Sequence, residues 1–267
     1  MPTIQKGSKF SALLKRIYCF LFAIMNHPIF TAIEYPESDG KPMGETDLHR
    51  DAMVRHIEIL KRYFAGQHAY VSGDLLLYYV QGNPKKFVVP DAFVVKGLKQ
   101  KRRRTFKLWN ELIVPQVVIE TTSKKTKKRD LKEKPAIYAQ IGVQEYFLFD
   151  PTSDYLDPSL QGNRLAGGQY QPIVHDDAGG VVSQELGLRL QIVSEELQFF
   201  RVDTGERLLD DAEAYEREVE ARQRESEARQ REAEGRQREA ERRIIAEAEV
   251  VRLQELVAQL QKQNLPK

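Results

Sequence analysis

Asp91 stands in the run VVPDAFVV and Glu120 in PQVVIETTS, one acid in each of two stretches rich in β-branched residues. An ionised carboxylate on a buried strand is costly unless a metal ion or a basic residue compensates it. Two such acids at the ends of neighbouring strands offer the hard oxygen ligands that Mg2+ or Mn2+ takes, and a cation held there can act on a phosphodiester. Glu120 carries more of this reading, because it closes a strand expected to be central. A Pro-Asp pair such as Pro90-Asp91 also serves local structure, where proline fixes φ and the acid ties down backbone donors. Asp74, in YVSGDLLLYYV on the preceding strand, is a third candidate ligand. Its other reading is a turn residue after Gly73.

Metal-assisted hydrolysis usually also needs a charged donor to orient water or stabilise developing charge. On the helix expected after the Glu120 strand, Asp130, Lys134 and Tyr138 are four apart and so share a face. Lys134 is the candidate donor, and a solvated ion pair with Asp130 is the alternative.

The elements that must position these residues follow from hydrophobic periodicity. Thr46 to Phe64 has Leu48, Met53, Val54, Ile57, Leu60 and Phe64 at near-helical spacing, with Thr46 or Asp47 as N-cap. HAYVSGDLLLYYV, FVVPDAFVV and VPQVVIETT then read as three antiparallel strands. A helix over about 127–141 follows, with Pro135 expected to shift its start or kink it and Gly142 to stop it. EYFLFD is almost wholly apolar and reads as a strand buried on both faces. QYQPIV, VVSQELGLRLQIV and LQFFRV suggest a hairpin-like annex with Gly179-Gly180 as a turn. The fold class expected is α/β, with helices against a mixed sheet.

Net charge is only +2, yet basic residues crowd between Lys96 and Lys107 and again between Lys124 and Lys134, each window following one of the two acids. A polyanion partner fits that asymmetry, and Phe106 and Trp109 nearby suit contact with DNA. Cys19 is the one cysteine, which excludes an intrachain disulfide and a thiolate zinc site and agrees with a cytoplasmic location. Lys15 and Arg16 precede IYCFLFAIM, a run too short to span a bilayer, so no stable membrane association is expected. The residues before Met25 are expected to be a weakly ordered or over-extended start, since Met25 could itself initiate translation, and a targeting or interfacial role for that run is the alternative.

From Glu220 to Ala240 the chain repeats EARQRES, EARQREA, EGRQREA, a helix-forming sequence with a poor coiled-coil seam. Ala246, Val250, Leu253, Val257 and Leu260 restore the four-three alternation, so a homo-oligomer through this C-terminal helix is expected. The alternative is a single solvated helix held by Glu–Arg pairs four apart. Three parts result: an apolar segment and arm over 1–40, a globular domain over 41–205, and a helical, coiled-coil-like tail over 206–267.

VSGDLLLYYV, VVPDAFVV, VVIETTS and KKRDLKEKPAIYAQIGVQEYFLFDP together resemble the Uma-two family of restriction endonucleases within the PD-(D/E)XK nuclease superfamily. The resemblance covers roughly 35 to 205 and is densest from Pro115 to Pro151. It implies a restriction-endonuclease-like core, Asp91 as the acid of the Pro-Asp motif and Glu120 as the acid of the Glu-x-Lys motif. Thr122 stands where that motif has lysine, and Ser123 matches the serine this family shows after the acid. In the wider superfamily the lysine can move to the following helix, which designates Lys134, with Lys124 as second choice. The implied activity is Mg2+- or Mn2+-dependent hydrolysis of DNA phosphodiester bonds. A catalytically degenerate scaffold, or a DNA-binding protein that oligomerises through its tail, is the alternative.

Overall fold

The computed structural model describes residues 33–40 and 46–263. The apolar run before Met25 therefore lies outside the described residues. The globular part is a mixed α/β assembly whose first helix, α1 (Asp47–Tyr63), is capped by Thr46, whose Oγ1 accepts a hydrogen bond from the His49 amide at 3.3 Å. The strands are β1 (Ala69–Ser72), β2 (Leu77–Tyr78), β3 (Phe87–Val88), β4 (Ala92–Lys96), β5 (Phe106–Lys107) and, after the short helix α2 (Leu108–Glu111), β6 (Val117–Thr121). A π-helical turn (Arg129–Glu133) leads into α3 (Lys134–Ile141) and then β7 (Glu145–Phe149), β8 (Leu160–Ala166) and β9 (Gln169–Pro172). β10 (Val181–Ser183), β11 (Leu188–Val193), β12 (Glu196–Arg201) and the long helix α4 (Asp211–Gln263) complete the chain.

The main sheet has the order β1-β4-β6-β7-β8-β9. β1, β4 and β6 pair antiparallel, and β7 joins β6 in parallel through the α3 crossover. Strand alternation sends Val117 and Ile119 into one core with Ile59 and Leu60 of α1, and Val118 into another with Tyr138 of α3. Every residue of β6 and β7 is buried, as a sheet covered on both faces requires.

Four expectations change. First, α1 buries His49, His56, Ile59 and Leu60, whereas Leu48 and Val54 are exposed. The apolar positions alone gave a face rotated away from the true one, because two histidines sit on the buried side. Second, the runs expected as single strands are broken: Gly73-Asp74 separates β1 from β2, and Pro90-Asp91 separates β3 from β4. The halves β2 and β3 pair with each other in a small sheet that also holds β5. Third, β8 pairs along the whole of β7, with β9 outside it. β8 carries too little alternating apolar signal to be read from sequence. Fourth, β10 to β12 are no annex, since Val181, Leu188, Leu190, Leu197 and Phe199 share the core of α1. Gly179 and Gly180 turn the chain between β9 and β10. The second sheet is fastened to the first by Glu145, a fully buried acid. Its carboxylate accepts hydrogen bonds from the Ser183 hydroxyl and from the Gln184 and Glu185 amides at 3.0 and 3.2 Å, and pairs with Arg164 at 2.9 Å.

α4 is one 53-residue helix, exposed from Tyr215 through Gln259. Seven Glu–Arg pairs four residues apart run along it, consistent with a helix sustained largely by its own side chains. Its base is pinned to α1 by Arg62–Asp211 at 2.6 Å and by Arg55–Asp210 at 3.3 Å. No described helix is long and apolar enough to cross a membrane.

Candidate functional site

β4 and β6 fix the relation between the two acids. Their antiparallel register pairs Ala92 with Ile119, so one step further Asp91 faces Glu120. The contacts bear this out: Asp91 Oδ2 accepts the Thr121 amide hydrogen at 2.7 Å, and the Asp91 amide donates to Glu120 Oε2 at 3.2 Å. Glu120 is fully buried on the α3 side of the sheet.

α3 and the π-helical turn bring the basic group. The Lys134 amide closes the turn onto the Arg129 carbonyl, and the Tyr146 hydroxyl donates to the Asp130 carbonyl at 2.7 Å. Pro135 is tolerated because it falls in the first turn of α3, where its missing N–H has no intrahelical role. Lys134 Nζ then lies 2.8 Å from Glu120 Oε2 and 3.0 Å from Asp130 Oδ1, while the Tyr138 hydroxyl donates to Glu120 Oε1 at 2.6 Å. The Asp130–Lys134 pair is not solvated, for the side chains are 1% and 7% exposed.

Three acids around one ammonium leave an excess of buried negative charge. Burial alone would depress the Lys134 ammonium, yet Glu120, Asp91 and Asp130 outweigh it and push its pKa above the usual value. Glu120 absorbs the excess: burial pushes it up, Lys134 pulls it back, Asp91 and Asp130 raise it again, and its pKa reaches about 8. Asp91 ends below its ordinary range, because the His49 hydrogen bond, the charges of Lys134 and His49, and the Thr121 amide together overcome burial. Burial and the neighbouring Glu120 hold the Tyr138 phenol well above its usual value, so it remains a donor.

A family model for Uma2, described as "Putative restriction endonuclease", matches residues 31–197. The chain belongs to the Uma2 family. No curated protein matches it. Among solved structures it is similar to a protein from Anabaena variabilis ATCC 29413 described as "a putative nuclease belonging to DUF820". The two share 16% identity over 56% of this chain and 81% of that one, with a TM-score of 0.40.

In this Uma2 chain Thr122 is buried, and the lysine near Glu120 comes from the helix. Ser123 caps that helical segment: its carbonyl accepts the Lys127 amide at 2.9 Å, and its hydroxyl is 3.1 Å from that of Thr126. Lys124 is exposed and makes no ion pair among the described residues. Asp74 sits in a bend rather than on a strand, exposed, with φ +46 and its amide on the Pro90 carbonyl at 2.9 Å. Its carboxyl is raised by partial burial and then by Asp91 and Asp39.

Two residues that shape the site carry no signal in the sequence reading. His49 Nε2 is 3.0 Å from Asp91 Oδ2. Gly73 lies so close to the Asp91 backbone that a Cβ there would stand 1.9 Å from the Asp91 carbonyl oxygen and 2.6 Å from Ile57 Cδ1. In sequence the Gly-Asp dipeptide before β2 marks a turn, not a close backbone approach.

The basic windows differ only in part, since Lys99, Lys101 and Arg102 of the first are exposed and form no ion pair among the described residues. In the first, Arg103 is spent on Glu111 at 2.8 and 3.0 Å and on the Tyr70 ring at 4.0 Å, and Arg104 pairs with Glu37. Phe106 is fully buried and Trp109 packs on Tyr35 at 5.1 Å, so neither is the free aromatic expected beside DNA. In the second, Lys124, Lys125, Lys127, Lys128 and Lys132 are exposed and form no ion pair among the described residues.

The donors suit a hard divalent cation. Asp91 Oδ1 receives no hydrogen bond among the described residues, Asp91 is 15% exposed, and the cluster carries surplus negative charge. A closed set of three or more His, Cys, Asp or Glu ligands is not formed among the described residues.

Proposed function

We propose that this Uma2 protein is an endonuclease that hydrolyses DNA phosphodiester bonds with Mg2+ or Mn2+. Asp91 and Glu120 would hold the cation, with Asp74 as a further acid at the rim. The bound ion would supply a polarised phosphoryl oxygen and an activated water. Lys134, kept protonated by three acids, stabilises charge on the phosphate, and no covalent intermediate is required. The exposed lysines between Glu120 and Lys134 track the phosphate backbone and contribute affinity that falls with salt. We read the protein as cytoplasmic and the tail as its oligomerisation element, because Val250, Leu253 and Val257 are exposed along one stripe of α4.

The observation that carries this reading is the Lys134 ammonium 2.8 Å from a buried Glu120 whose strand neighbour is Asp91. Supercoiled plasmid incubated with Mg2+ or Mn2+ should be nicked by the wild type and left intact by Asp91→Ala and Glu120→Gln. A wild type with no cleavage and no divalent-ion thermal shift overturns the proposal. Salt-dependent DNA binding in that case would identify a non-cleaving DNA-binding protein, and its absence a scaffold.

A further inference from the structure

His49 is 2% exposed, yet it points from the first turn of α1 to the edge of the site. The Thr46 cap fixes the backbone from which it projects, through the bond to the His49 amide. Its Nε2 lies 3.0 Å from Asp91 Oδ2, the same oxygen that takes the Thr121 amide hydrogen at 2.7 Å. An ionised carboxylate only accepts, so Nε2 carries the proton in this contact. One donor comes from a helix and the other from the neighbouring strand, so Oδ2 is held from two independent elements. Oδ1 is then the oxygen of Asp91 that no described residue engages.

We infer that His49 is a positioning residue that clamps Oδ2 of Asp91 and thereby presents Oδ1 to the divalent cation. This rests on the metal reading of the site. A carboxylate free to rotate would offer either oxygen and lose orientation on binding, whereas a clamped one is already arranged. Partners of this kind are typically worth about 10- to 100-fold in metal affinity. Their other known duty, holding an element in place, makes a distinguishing test necessary.

The test is Mn2+ uptake by the full chain without DNA, read from the free-ion signal in electron paramagnetic resonance. Wild type is compared with Asp91→Ala, His49→Gln, His49→Met and His49→Asn, each with its thermal midpoint. Glutamine can place an amide N–H near the Nε2 position; methionine fills the space without a donor; asparagine has the donor but falls short. The expected result is Mn2+ affinity about 10- to 100-fold weaker in His49→Met and His49→Asn and restored to within about threefold in His49→Gln. Should His49→Met not fold, the asparagine and glutamine pair gives the same contrast. Equal affinity in all folded His49 variants, with wild type binding and Asp91→Ala not, overturns the positioning role and spares the metal site. Mn2+ uptake that is absent in wild type, or unchanged by Asp91→Ala, overturns the metal reading and the inference with it.

Discussion

Replacing Lys134 with methionine removes the ammonium that, among the described residues, faces Glu120 and Asp130, while keeping most of the aliphatic stem. Both acids are 1% exposed or less, and Nζ is 2.8 and 3.0 Å from their oxygens. In the wild type Glu120 is raised to about 8 from an ordinary value of 4.5. A carboxyl raised by folding contributes stability that is present below its unfolded value and lost as pH climbs through the folded one. Without Lys134 the folded value rises further, so the variant goes on losing stability at pH values where the wild type has levelled off. At about pH 6 Glu120 is protonated in both proteins, and the variant gives up mainly its hydrogen bonds and the counter-ion of Asp130, about 1–3 kcal/mol. By about pH 9 the wild type has levelled off near 8 while the variant loses stability over one further pH unit, so the penalty grows by up to about 1.4 kcal/mol. Urea denaturation at both pH values gives the two differences directly. Adding Glu120→Gln to the wild type and to the variant should remove the pH-dependent part. A penalty for Lys134→Met that is equal at the two pH values, or under about 1 kcal/mol at both, refutes the charge-excess account of the site.

Two other perturbations probe what supports it. Burial depresses His56, set between the Phe149 and Phe199 rings, to about 3 from 6.5, so below 6.5 the unfolded chain takes a proton the folded one refuses. Stability then falls with acid: relative to His56→Leu, the wild type should lose about 2 kcal/mol between about pH 7.5 and about pH 5, a difference from which the opposing Glu120 contribution cancels. A difference that stays flat over that window removes His56 as the cause. Gly73→Ala sets a methyl against the Asp91 carbonyl and Ile57, so the midpoint in urea should fall by the equivalent of about 1–3 kcal/mol and Mn2+ uptake should weaken with it. An alanine variant of wild-type stability and uptake would mean that the backbone yields there freely.

Much of the site is local in origin and was legible for that reason. Asp91 and Glu120 are each marked by the apolar residues on either side, and antiparallel pairing of their strands makes them face each other. Asp130, Lys134 and Tyr138 share a face by spacing alone. Their environment was not legible: a solvated pair and a buried one have the same sequence, and burial follows from Glu120 and the sheet lying against that face. The charged clusters show the same limit. Arg103 and Lys125 look alike in a basic run, but Arg103 meets Glu111 and Tyr70 in the fold, whereas Lys125 meets no acid among the described residues.

What the sequence by itself determined is therefore the periodic and the adjacent: a mixed α/β domain, two acids at strand ends, a helix presenting a lysine, and a long charged tail. Only the tertiary structure decided which side of α1 is buried, that His49 reaches Asp91 across 42 positions, and that Gly73 must lack a side chain. The physical reason is range. Alternation along a strand and spacing along a helix repeat within a few residues, whereas a buried histidine or a close backbone approach is set by a neighbour that the chain supplies far away.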